Sequence, residues 1–252
     1  MAADPPALLV LAGTAEARAT LEALAPQVAA GRLRVVASLA GATRAPRPLP
    51  VETRTGGFGG AEGLAAFLRA RGVAAVLDAT HPFAARISAN ATAACAAAGV
   101  PRAQLRRPGW PGPARRFPDL AAALAAAPPG ARVLAATGRA SAPALQGRAD
   151  LTILLRVAEP GPAIPGLETL LSRPPHSAED DRALMQTRGI THLLARDSGG
   201  ADGAKLAVAR ELRIEILLAE RPPAEAGPVL RDPAEALAWI ETVLKADLTP
   251  RG

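Results

Sequence analysis

The chain has 252 residues, 29 basic against 23 acidic for a formal charge of +6, and 49% of it is hydrophobic. At roughly 150 residues per domain this length suggests two globular units, each large enough to bury a core. Glycine and proline, at 23 and 25 residues, stay below the share of about 25–30% that marks low-complexity chains, and a single cysteine, Cys95, excludes intrachain disulfides and cysteine-based zinc sites.

The N-terminal "MAADPPALLVLAG" carries an acid where a secretory leader would be positive, and no stretch approaches the roughly 18 apolar residues of a membrane span. A cytoplasmic protein with no membrane partner is expected. Its basic residues are dispersed in runs no longer than two and its aromatics amount to 2%, with no Tyr. That pattern argues against a nucleic-acid partner and leaves an anionic small molecule as the ligand class. Only Lys205 and Lys245 are lysines, so each raises the question of whether an ammonium is needed there.

Short Val/Leu-rich runs at 8–13, 34–41, 73–80 and 101–107 alternate with Ala-rich stretches. The runs read as strands of a parallel sheet covered on both faces. Leu21, Leu24 and Val28 share one helix face before Gly31, and Leu64, Phe67 and Leu68 share another before Gly72. The Pro/Gly-rich segment 106–116 interrupts the pattern, dividing the chain into domains at 1–112 and 113–252. Strand-like runs then resume at 132–138, 151–157, 168–173, 191–197 and 215–220. Ser177 with Asp180 resembles a capping pair, and 232–245 reads as a closing amphipathic helix. The fold class expected is α/β: two Rossmann-like, doubly wound domains with mainly parallel sheets and a ligand cleft between them.

In such folds ligands sit beyond the carboxyl ends of the strands. After the first strand, Gly13 allows a close turn, and Thr14 can cap a helix carrying Glu16 near its positive end. This is not GxGxxG, and an ordinary strand-to-helix turn is the alternative. The second strand lacks the acid that would hold a ribose 2′-hydroxyl. Ser38, Thr43 and Arg44 follow it instead, a combination that suits a 2′-phosphate and favours NADP over NAD, unless Arg44 is simply a solvated charge. The segment "TRTGGFGG" (53–60) offers backbone for close approach to a planar or phosphorylated ligand, or else a plain connector. At 78–82 a strand ends in Asp78, Thr80 can cap, His81 stands at the strand-to-helix junction and Pro82 suits a first helical position. Thr137, Gly138 and Arg139 form another candidate anion turn, while Asp197, Ser198, Gly199 and Gly200 end a strand before Lys205 opens a helix. The last set lacks GxxxxGK[ST] spacing, so nucleotide hydrolysis is unsupported.

Taken in order, "LAGTAEAR", "RTGGFGG", "DATHPFAARISANA", "RRPGW", "ATGR", "RPPHSAED" and "RDSGGADGAKLAVARELRIEILLAERP" resemble the motif series of the precorrin-6A reductase family over roughly residues 8–223. In "RPPHSAED", Pro175 and His176 stand where relatives more usually carry Pro-Phe. The resemblance implies hydride transfer from NADPH to precorrin-6A, giving precorrin-6B in cobalamin biosynthesis, with no metal required; a monomeric chain is expected. It implies a cofactor site drawn from Gly13, Thr14, Glu16, Ser38, Thr43, Arg44, Gly57, Thr80 and His81, with Thr137, Gly138, Arg139, Ser198 and Gly199. Arg107, Trp110, His176 and Lys205 are then expected at the polycarboxylate macrocycle, with Lys205 and His81 as candidate catalytic residues and proton donors beside solvent. Two readings from other classes stay open: a non-catalytic regulatory nucleotide-binding protein, and a methyltransferase using S-adenosylmethionine.

Overall fold

Apolar runs bounded by glycine and proline become strands whose alternate side chains enter opposite cores. The computed structural model describes residues 4–40, 47–173, 175–200 and 203–247. In chain order its elements begin with β1 (Ala7–Leu11), α1 (Ala15–Ala29), β2 (Arg34–Leu39), β3 (Glu52–Thr55), α2 (Gly60–Ala70), β4 (Val73–Asp78), α3 (Ala85–Ala98) and β5 (Arg102–Leu105). They continue with β6 (Arg115–Phe117), α4 (Leu120–Ala125), β7 (Arg132–Ala136), α5 (Ala142–Leu145), β8 (Thr152–Val157) and β9 (Glu168–Leu171). The chain then forms α6 (Ala178–Thr187), β10 (His192–Arg196), α7 (Ala204–Glu211), β11 (Glu215–Ala219), β12 (Val229–Leu230) and α8 (Pro233–Asp247).

The chain divides into two compact units, Met1–Arg107 with Pro222–Gly252, and Pro108–Arg221. The first unit holds a six-stranded sheet in the order β12-β5-β4-β1-β2-β3, every neighbouring pair parallel. Along β1, Leu8 and Val10 enter the core beneath α1 and α8, while Leu9 and Leu11 enter the opposite core beneath α2 and α3. Both faces are thus covered, as an all-parallel sheet requires. The second unit repeats the plan in the order β6-β11-β10-β7-β8-β9, again all parallel. Leu124 of α4 and Leu145 of α5 pack on one face, and Met185 of α6 and Leu206 of α7 on the other.

Three sequence expectations change. The boundary falls after Arg107 rather than at 112, and residues from Pro222 onward belong to the first unit instead of completing the second. The first unit therefore takes its sixth strand from beyond the second unit, β12 pairing with β5, whereas the second is built from consecutive strands, with β6 pairing with β11 at its edge. Backbone and core both secure the return. Arg102 Nη2 donates to the Ala226 carbonyl at 2.7 Å, the Glu225 amide donates to Gln104 Oε1 at 2.9 Å, and Ala236, Ile240 and Leu244 of α8 are buried beside β1. Second, the Pro/Gly-rich segment does not stay irregular to 116, because β6 begins at Arg115. Third, Pro82 is not the first residue of a helix. His81–Phe83 form a turn closed by the Ala84 amide on the His81 carbonyl at 2.7 Å, and α3 starts at Ala85.

Candidate functional site

In the first sheet the strand order reverses direction between β1 and β4, which opens a crevice at their carboxyl ends. Thr14 holds the two sides of that crevice together. Its Oγ1 accepts the Ala17 amide at 3.1 Å as the cap of α1 and donates to the Ala79 carbonyl at 2.9 Å. A cavity of about 670 Å³ lies over these strand ends, and Gly13, Ser38, Gly57, Thr80 and His81 are among the residues lining it. The glycine loop after β3 forms one wall. A Cβ added at Gly56, Gly57, Gly59 or Gly60 would meet no atom within 4 Å, so these positions leave open space next to bare backbone.

Arg54, at the end of β3, builds that wall, and the sequence reading passed over it. Its Nη1 donates to Ser38 Oγ at 2.9 Å and to the Gly56 carbonyl at 3.0 Å, and its Nη2 donates to the Gly57 carbonyl at 2.9 Å. The guanidinium also lies 3.8 Å from the Phe58 ring centroid. Burial lowers its pKa from the usual arginine range, but a guanidinium remains charged at neutral pH. Arg54 lies two residues before Gly56, so proximity in "TRTGG" was the available signal. Arg86 and Asn90 of α3 also line the cavity and were likewise not singled out.

Asp78 anchors the β4 end from below. It is 2% exposed, accepts Thr80 Oγ1 at 2.7 Å and Gln104 Nε2 at 3.2 Å, and faces Arg102 Nη1 at 3.8 Å. Thr80 is thus oriented by Asp78 and does not cap α3. His81 is exposed, and its Nδ1 accepts the Phe83 amide at 3.3 Å, which puts the proton of the neutral ring on Nε2. Glu16 and Arg107, expected to serve different ligands, form an ion pair at 2.7 Å. Thr43 and Arg44 lie outside the described residues. Cys95 lies on the buried face of α3, and burial pushes its thiol up to about 11, so it stays protonated and unreactive.

In the second unit two motifs far apart in sequence lock together around Asp197. Its Oδ1 accepts the Trp110 amide at 2.8 Å and its Oδ2 accepts Arg116 Nη1 at 2.6 Å, while Arg221 Nε donates to its backbone carbonyl at 3.0 Å. The Trp110 indole donates to the Gly200 carbonyl at 3.0 Å, and the Lys205 ammonium lies 4.5 Å from the indole centroid. At 6% exposure Trp110 is a core residue of this unit, and Lys205 is buried with it. Gly199, at φ +65°, has no room for a side chain, because a Cβ would lie 2.0 Å from the Pro108 carbonyl oxygen. Its place in the structure is a packing one. The amide of the adjoining Ser198 donates to the Arg196 carbonyl at 2.7 Å.

The remaining predicted residues stand at the carboxyl ends of the second sheet. Thr137 Oγ1 and Ser141 Oγ are 2.6 Å apart, and Ser141 donates to the Gly138 carbonyl at 2.7 Å. Arg139 donates to the Pro162 carbonyl at 2.8 Å and is held against Gly161, so it braces a neighbouring loop. His176 lies half-buried between β9 and α6, its Nδ1 3.2 Å from Ser172 Oγ. Among the described residues no group of three or more His, Cys, Asp or Glu side chains could hold a metal ion, and no helix is long and apolar enough to cross a membrane.

Comparison with known proteins accounts for nearly the whole chain. The family model described as "Precorrin-6x reductase CbiJ/CobK" matches residues 7–241. The chain is 40% identical over 256 residues to a precorrin-6A reductase of Rhodobacter capsulatus, covering 97% of this chain and 98% of that protein. It is 43% identical over 250 residues to one of Rhodococcus erythropolis, covering 94% and 98%. A solved structure titled "CobK precorrin-6A reductase" superposes with a TM-score of 0.86 at 38% identity, covering 98% of this chain and 99% of that one.

Proposed function

The chain belongs to the precorrin-6x reductase family, and from that premise we propose that it is an NADPH-dependent oxidoreductase that reduces one double bond of precorrin-6A to give precorrin-6B, acting in the cytoplasm in cobalamin biosynthesis. The observation that carries this reading is the glycine-walled cavity at the β1/β4 crevice, together with near full-length identity of about 40% to precorrin-6A reductases.

The residues present fit a nicotinamide dinucleotide. Gly13 has φ +145°, and an added Cβ there would meet nothing within 4 Å, so backbone can approach a bound ligand closely. No acid stands among the described residues lining the cavity, and Ser38, held by Arg54, stands at the end of β2 where a 2′-hydroxyl reader would carry a carboxylate. That absence favours a 2′-phosphate, and with it NADPH over NADH. When bound, the nicotinamide supplies a hydride.

The protein's own task is to hold the reacting faces together, exclude water and deliver one proton. Thr14 keeps the β1 and β4 loops in register, and Asp78 fixes Thr80 beside them. His81 is our choice for proton delivery, because it lines the cavity and is exposed, so its ring can take a proton from solvent and pass it on as the imidazolium. Lys205, the other candidate, is buried against Trp110. An arginine-rich, lysine-poor chain suits a substrate bearing many carboxylates.

An anaerobic spectrophotometric assay tests the proposal. NADPH consumed only when precorrin-6A is present, and NADH consumed far more slowly, is the expected result. NADPH binding without turnover of that substrate would assign the chain to a regulatory, non-catalytic role instead, and specific binding of S-adenosylmethionine would point to a methyltransferase.

A further inference from the structure

Apart from the His81 imidazole, the first-unit cavity has one ionisable side chain among its described lining residues, Arg86, and no acid. Arg86 lies in the first turn of α3, where the unpaired amides form a positive end and an arginine is electrostatically disfavoured. No acid stands in that turn, and among the described residues no hydrogen bond or ion pair reaches this guanidinium. Other arginines of the same unit are committed: Arg54 to Ser38 and two loop carbonyls, Arg71 to Glu52, Arg102 to Asp78 and Arg107 to Glu16. Asn90, four residues further along the helix and so on the same face, also lines the cavity and adds an amide donor.

We propose that Arg86, with Asn90 beside it, pairs with a phosphate of the bound dinucleotide and thereby determines much of the cofactor affinity. The inference rests on reading this cavity as the dinucleotide site. It separates two roles that one arginine could not combine here. Arg54 shapes the loop through carbonyls it already holds, whereas Arg86 brings an uncommitted charge to the ligand.

The test is calorimetric titration of the full chain and its Arg86→Ala and Arg86→Lys variants with NADPH and NADH at two salt concentrations. Arg86→Ala is expected to weaken binding roughly ten- to a hundredfold, the range of lost charge-assisted hydrogen bonds, and to flatten the salt dependence. Arg86→Lys should fall between, since the point charge survives and the planar fork does not. Equal loss for both cofactors assigns the contact to the pyrophosphate, and loss confined to NADPH assigns it to the 2′-phosphate. Unchanged affinity for both cofactors in Arg86→Ala overturns the proposal, as does a defect seen only in the KM for the macrocycle. If the unmodified chain binds neither dinucleotide, the reading of the cavity falls and takes this assignment with it. Arg86 is exposed, so the melting temperature without cofactor should not move and serves as the control for folding.

Discussion

Gly63→Ala sets two effects of opposite sign against each other. Gly63 lies inside α2 with ordinary helical backbone, so propensity alone says alanine should stabilise the helix by about 1 kcal/mol. Packing says the reverse. An added Cβ would lie 1.8 Å from the Phe58 carbonyl oxygen, against the ~3.5 Å at which non-bonded atoms sit comfortably. The obstructing atom is backbone, so the glycine loop itself must shift. That loop carries Phe58, whose ring lies under Arg54 at 3.8 Å and meets Phe67 edge-on at 5.2 Å, and it supplies the Gly56 and Gly57 carbonyls that Arg54 holds. Overpacking of this kind costs about 1–3 kcal/mol, and a weakened charged hydrogen bond adds ~1.5 kcal/mol or more. After the helical gain, a net destabilisation of about 1.5–3.5 kcal/mol remains. Because the same loop walls the cavity, dinucleotide affinity should fall by about tenfold, equivalent to ~1.4 kcal/mol. Urea denaturation followed by absorbance and fluorescence, combined with titration of NADPH, measures both quantities. An alanine variant that is as stable as the original chain and binds NADPH equally well would refute the claim that this helix is notched to seat the loop.

Asp197→Asn should destabilise the second unit by about 2–3 kcal/mol, a value set below the full cost of breaking a buried pair because Arg116 remains partly exposed; thermal melts measure it. Gly199→Ala should cost about 2–4 kcal/mol, combining a left-handed backbone at φ +65° with collision against the Pro108 carbonyl, and quenching of the neighbouring Trp110 should change with it. Ser177 donates to Asp180 Oδ2 at 2.6 Å and holds that carboxyl below its usual range. A depressed folded pKa means the stabilising contribution is present above the unfolded value of about 3.9 and is lost as pH falls through the folded value. Ser177→Ala should therefore raise the Asp180 pKa toward the ordinary range in a carboxyl NMR titration, and an unmoved pKa would remove Ser177 as its cause.

The parts read correctly from the chain were those in which local chemistry decides. Leu8 to Leu11 are apolar without interruption, so burial on both faces was implied before any partner was known. Thr14 and Ser177 each cap a helix through their own hydroxyls, three residues from the amide they accept. The missing acid after β2 was likewise visible, because it is an identity at a known distance from the first turn. Gly13, Ser38, Gly57, Thr80 and His81 do meet at one cavity.

What the sequence could not reveal depends on pairings between distant segments. A two-residue strand such as β12 carries too little pattern to name its neighbour, and the apolar face of α8 is compatible with either sheet. Only the register Val229↔Gln104 and Leu230↔Leu105 decides that the chain's last segment returns to the first unit. The same holds for side chains. Nothing local distinguishes Trp110 and Gly199 as packing residues, because their constraint is the other's loop, some ninety positions away. Nor does composition separate Arg54, committed to carbonyls, from Arg86, which no described residue engages. Periodicity and capping act over a few residues and are written in the chain, whereas long-range register and the partners of individual charges exist only once the backbone has closed on itself.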